Sequence, residues 1–210
     1  MEKWGASLAY DLARERVAAL DPKQCLQHPG FQLVEGKEIA FPFLGVRRIV
    51  SLPDGRVFND SGAEETPRLA ALLLHYLLAS TKLPSVLTGR EIEFRSLPGG
   101  MSYIGPYSGR TIARLIREFE DEIGLLRSAA LSLRAELCEG EGDLAFSVEV
   151  LPQVPVKIIF WQKDEEFPAR ATILYDASIA EALTTEDVVV LTEALVGELI
   201  RRGRELRERR

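Results

Sequence analysis

Apolar residues Leu8, Leu12, Val17 and Leu20 recur at roughly helical spacing with Asp11, Arg14, Glu15 and Arg16 between them. The pattern predicts an amphipathic helix over about residues 6–20, stopped by Asp21 and Pro22. A polar, Pro- and Gly-punctuated connector over 25–36 leads into two short runs, 38–44 and 46–52, that read as strands. Pro53, Asp54 and Gly55 make a turn, and 56–58 folds back across it. Thr66 and Pro67 suit an N-cap and first helical position. The segment that follows, PRLAALLLHYLLAST, is apolar on most of its surface and reads as a central core helix ending before Leu83 and Pro84.

Residues 90–96 alternate, with Ile92 and Phe94 on one face and Glu91, Glu93 and Arg95 on the other, which predicts a strand running into a flexible turn over 97–100. Ile112, Leu115, Ile116 and Phe119 mark a helix over 111–123, with helix again over 125–137 and a break at 139–143. Leu144, Phe146, Val148 and Val150 then alternate with Ala145, Ser147 and Glu149 as a half-buried strand should. Two further strands, 156–161 and 171–175, read as a hairpin with a long loop. Thr184 and Asp187 resemble a capping pair, and the helix they open turns Val188, Leu191, Leu195 and Leu199 inward. The fold class expected is α+β: one domain over 1–210, its mixed or antiparallel sheet packed by helices.

Composition sharpens this picture. At 210 residues, 46% apolar and 28% charged, the chain has material for a real core. Its net charge of -6 repels a phosphate backbone, so nonspecific nucleic-acid binding is not expected. Cys25 and Cys138 sit in no CxxC pair and read as reduced thiols. The charged N-terminal segment and the short apolar run 69–79 give no membrane span, and the expected location is the cytoplasm.

Candidate chemistry concentrates in two stretches. Gly99, Gly100, Tyr103 and Tyr107 lie in or after the most permissive turn, where amides can approach a ligand, tyrosines can cover it and Arg110 can neutralise an anion. The turn lacks the Lys-Ser/Thr ending of a phosphate loop and the spacing of a dinucleotide fingerprint, and a tight turn into the next helix is its plain alternative. In the second stretch, Asp164, Glu165 and Glu166 share one turn and Asp176 closes the next strand, a set able to offer oxygens to a hard cation if folding gathers them. The plain alternative is a solvated turn with Phe167 tucked beneath it, and no metal is expected. Trp161 and Asp176 end two strands, where ligand sites are common, although Trp161 can equally cap the core. His75 reads as a core or boundary histidine held by one hydrogen bond, and Cys25 with His28 makes only half a zinc site. No GxSxG elbow is present.

Three pieces, FPFLGVRRIVSLPDGRVF with LLLHYLLAS after it, IEFRSLPGGMSYIGPYSGR, and VPVKIIFWQKDEEFPARATILYDASIAEALTTEDVVVL, span 41–191. They resemble an anaerobe-rich family of bacterial and archaeal proteins catalogued as domain of unknown function 3786. Some relatives are joined to a small iron-sulfur module of the kind found beside corrinoid proteins, so the resemblance implies a setting in anaerobic one-carbon or cofactor metabolism. With two cysteines, this chain lacks the ligands for such a cluster.

The expected function is that of an accessory binding protein for a small-molecule ligand or a protein partner, with its cofactor unspecified. The alternative is a carboxylate-dependent hydrolase or transferase, with or without Mg²⁺. A third reading is a structural subunit docking through the Arg-rich end, RRGRELRERR.

Overall fold

Two antiparallel sheets, one of four strands and one of five, carry the fold. The computed structural model describes residues 2–26, 28–80 and 87–209. From the N-terminus come α1 (Glu2–Ala18), α2 (Pro22–Cys25), β1 (Gln32–Val34), β2 (Glu38–Phe43), β3 (Val46–Ser51), β4 (Val57–Asn59) and α3 (Pro67–Ala79). Next are β5 (Glu91–Glu93), a 3-10 turn (Phe94–Ser96), α4 (Gly100–Arg110), α5 (Ile112–Phe119), α6 (Ile123–Ser132) and β6 (Glu136–Cys138). The chain closes with β7 (Leu144–Leu151), β8 (Val154–Trp161), β9 (Arg170–Asp176), α7 (Ile179–Ala182) and α8 (Thr185–Glu208). The α+β class is as the sequence predicts, with both sheets antiparallel. No helix among the described residues is long and apolar enough to cross a membrane.

The chain divides into two compact units: Met1–Thr88 with Leu151–Gln153 and Ser178–Leu191, and Gly89–Val150 with Val154–Ala177 and Thr192–Arg210. In the first unit β1 to β4 form a meander in sequence order. Phe41 on β2 meets Tyr76 on α3, ring centres 5.5 Å apart, and Leu72, Leu73, Leu74 and Leu77 of the same helix are buried. The helix starts at Pro67 as expected; Leu83 and Pro84 lie outside the described residues. Helix α1 corrects its expected stripe. It buries Tyr10, Ala13 and Val17, spaced three and four apart, while Leu8 and Leu12 are 61% and 52% exposed. Helix α1 packs against α3, and its buried stripe includes small Ala13 while larger Leu8 and Leu12 stay outside. The expected connector over 25–36 also holds a short strand, β1, which pairs with β2.

In the second unit the strand order is β5-β9-β8-β7-β6. Alternation sends Phe146, Val148, Val156, Ile158, Phe160, Ile173 and Tyr175 to one buried face. On that face α8 reaches Tyr175 through Thr192 and α4 through Tyr107. β8 and β9 form the expected antiparallel pair, Val156 opposite Tyr175 through Trp161 opposite Arg170.

Three expectations change here. The strand over 90–96 ends at Glu93, because Phe94 turns inward and is 1% exposed. The helix expected to reach residue 137 stops at Ser132, and after Arg134 (φ 60°) the chain becomes β6, pairing Leu137 with Phe146. The turn at 97–100 opens into α4, which the sequence disguises with Gly105, Pro106 and Gly109.

Candidate functional site

The second unit holds a groove beside α4, and local backbone chemistry builds it. After Glu93 the 3-10 turn lifts the chain off the sheet, and Leu97 N–H closes it on Phe94 O at 3.1 Å. Gly99 takes φ 73°, a left-handed conformation that glycine adopts without steric cost, and sets the N-cap of α4. At Gly100 a Cβ would strike the Phe94 carbonyl oxygen. Gly99 and Gly100 are therefore accounted for by the chain's own turn, the plain alternative to a ligand loop. The aromatic rings of Phe94 and Tyr107 stack at 3.9 Å with 2° between planes, locking the turn to α4.

Between α4 and β9 this leaves a groove of about 370 Å³, lined by Met101, Ile104, Tyr107, Ile112, Ala171 and Ile173 among others. It joins both stretches singled out in the sequence, although of the nominated side chains only Tyr107 lines it. Met101 is 66% exposed at the rim. Sequence reasoning passed over Met101 and Ile104 as wall residues, since one apolar face of a Gly/Pro-containing segment does not announce a helix, and it read Ile112 only as part of a helix face.

Tyr107 points its hydroxyl inward. It bonds the Tyr175 hydroxyl at 2.6 Å, which bonds Thr192 Oγ1 at 2.6 Å. Burial raises the pKa of both phenols, that of Tyr175 most strongly, so this chain is a neutral structural relay and not an acid-base device at ordinary pH. Arg110 is held by the Tyr103 hydroxyl at 3.2 Å and by Glu193 at 3.6 Å, so these two nominees occupy one another.

The acidic turn does not gather a cation site. Asp164 Oδ1 accepts from the amides of Phe167 (2.7 Å) and Glu166 (2.8 Å), and those bonds lower its pKa. Glu165 and Glu166 are exposed, and Phe167, expected beneath the turn, is 64% exposed. Asp176 ends β9 at the far side from the turn, about 20 Å along a seven-residue strand. Trp161 opposes Arg170, whose guanidinium lies 4.4 Å from the ring centre. Among the described residues no group of three or more His, Cys, Asp or Glu is placed to hold a metal ion.

Asp176 instead receives the Gly89 amide at 2.7 Å beside a shallow cavity of about 200 Å³ on the sheet face away from α4. Its chief charge, missed in the sequence, is Lys157, which contacts Glu141 at 2.6 Å and Glu91 at 3.0 Å. The Glu141 bond, then that to Glu91, outweighs desolvation and raises the lysine pKa, which keeps it a cation and a poor nucleophile. Alternation along β8 places Lys157 on the less buried face, a signal present in the sequence.

In the first unit, His75 is the expected boundary histidine, its Nδ1 2.9 Å from Asp187. His28 is buried, with Nδ1 2.8 Å from Pro29 O and its ring stacked on Phe31. Cys25 and Cys138 are free, and burial raises the Cys25 pKa. At the C-terminus, Arg204 and Arg207 pair with Glu118, and Arg207 also with Glu122. Much of the Arg-rich end is thus neutralised within its own unit.

No curated protein and no solved structure matches the chain. A family model does match, over residues 21–198 of the 210. The chain belongs to the family described as a domain of unknown function, DUF3786.

Proposed function

We propose that the protein is an accessory binding protein whose ligand occupies the groove between α4 and β9. The observation that carries this reading is the groove itself: about 370 Å³, largely apolar, with a few polar groups at its margin, the composition that small-molecule and peptide sites share. The two stretches nominated from the sequence meet there, whereas the acids of the carboxylate-catalysis alternative are divided between the turn before β9 and the far end of that strand. A role beside corrinoid, iron-sulfur or one-carbon chemistry in anaerobes rests on the family resemblance alone.

Native mass spectrometry of protein purified anaerobically from its own host tests the proposal, with Ile104→Glu as the comparison. An added mass carried by the wild type and missing from a folded Ile104→Glu supports the groove. A mass that persists in the variant, or a bare wild type, sinks it.

A further inference from the structure

We infer that the occupant of this groove is a small neutral amphiphile, an aliphatic chain of about eight carbons headed by an amide or lactam that Glu93 and Arg95 read at the rim. The inference deepens the proposed binding role and rests on it.

Size comes first. At about 30 Å³ of liquid volume each, about a dozen waters fill the groove of about 370 Å³, which sets the occupant at roughly ten heavy atoms. The wall facing its chain is aliphatic: Met101 and Ile104 of α4, Ile112 of α5, and Ala171 and Ile173 of β9. Unbranched, polarisable Met101 is exposed at the rim and adjusts to a flexible chain. Burial of that chain drives binding without giving it direction.

Direction comes from the rim. Arg95 donates from both Nε (2.9 Å) and Nη2 (2.5 Å) to one oxygen of Glu93, Oε2. This one-oxygen grip leaves Glu93 Oε1 as an acceptor and the Nη1 end of the guanidinium as a donor, neither with a partner among the described residues. The two side chains are 42% and 56% exposed, and both residues line the groove. Burial raises the Tyr107 pKa and the Glu93 charge adds to it, so that carboxylate stands near the inner wall as well as the rim.

Charge then selects the head, because the rim pair sums to zero. A carboxylate head gains Arg95 but meets Glu93, and an ammonium head gains Glu93 but meets Arg95, at separations shorter than the screening length of salt. An uncharged head that couples one carbonyl to one N–H satisfies both open groups together: the carbonyl accepts from Arg95 Nη1 and the N–H donates to Glu93 Oε1. Amides and lactams have that chemistry.

The probes are octanamide, octanoate and octylammonium, alike in chain and different in head. They are titrated at pH 7 and low salt into full-length, nitrogen-15-labelled protein, and backbone amide shifts are followed. Octanamide is expected to bind about fivefold more tightly than either ion, and N,N-dimethyloctanamide, which has no N–H for Glu93, to lose about the same factor. Glu93→Gln should make octanoate the preferred probe, and Arg95→Gln should make octylammonium so, with amide shifts away from the rim unchanged. Equal affinity for all heads, or a preference that neither variant alters, overturns the inference and leaves the groove reading standing. Octanamide binding to Ile104→Glu as tightly as to the wild type puts the probe elsewhere and overturns it too. So does the absence of binding by any probe at millimolar concentration; if Ile104→Glu still strips a natively bound mass, the groove reading survives.

Discussion

His75 Nδ1 lies 2.9 Å from Oδ1 and 3.1 Å from Oδ2 of Asp187, a residue 112 positions later in the chain. The same carboxylate accepts from Thr184 N–H at 3.0 Å and Thr184 Oγ1 at 2.6 Å, and Thr184 Oγ1 in turn accepts from Asp187 N–H at 3.2 Å. One buried acid thus closes the N-terminus of α8 and anchors it to α3. Replacing Thr184 by Ala should cost about 1 kcal/mol, the ordinary value of a cap. Asp187→Ala should cost about 3 kcal/mol, because it also leaves His75 and the Thr184 amide without their acceptor. Urea denaturation of both variants checks this; equal losses would show that the His75 bond contributes nothing.

Two glycines of α8 should respond oppositely to the same change. Gly197 has no neighbour within 4 Å of a built Cβ, so Gly197→Ala should stabilise by up to about 1 kcal/mol through helix propensity. At Gly203 that Cβ would stand 2.7 Å from Phe119 Cε1. Both groups are buried, and overpacking of about 1–3 kcal/mol outweighs the propensity gain, so Gly203→Ala should destabilise. Thermal melts of the pair decide it.

Deprotonating Tyr107 or Tyr175 requires opening the core. Both folded pKa values are raised by burial, so folding favours the protonated phenols. Their contribution is complete below the unfolded tyrosine pKa and is lost as pH rises from there toward the folded values. Absorbance at the tyrosinate band should show these two titrating only together with unfolding. Tyr175→Phe should cost about 2 kcal/mol at neutral pH by removing the middle of the hydroxyl chain, and should make the alkaline transition less steep.

Acid should loosen the C-terminal helix. Hydrogen bonds from Arg204, then Arg207, against an opposing desolvation, lower the pKa of Glu118. A depressed carboxylate pKa stabilises above its unfolded value, and the benefit fades as pH falls through the folded one. Glu118→Gln should therefore cost about 1 kcal/mol at pH 7 and nearly nothing at pH ~3. A constant deficit across that range would assign the loss to packing instead of charge.

Periodicity made much of the fold legible. The alternation of Leu144, Phe146, Val148 and Val150 gave β7, and the Thr184–Asp187 pair gave the start of α8, because each signal is local and chemically specific. Where tertiary contacts overrode local preference the reading failed. Phe94 stacking on Tyr107 ends β5 early and stabilises α4 despite its Gly and Pro content, and Leu137 reads as helical until its partner Phe146 is known. The site suffered most from this. Met101 and Ile104 of its apolar wall lie on the unrecognised helix, and its charged side chains, Glu93 and Arg95, come from a segment that reads as a plain strand.

The passage of the chain back and forth between its two units limits how such a protein can be inherited. A gene fragment encoding 89–150 would carry β5, β6 and β7 but neither β8 nor β9, so β5 would lose the strand it pairs with. Neither unit is a cassette that recombination can lift out whole. The two are bound to evolve, to be expressed and to be lost as one gene.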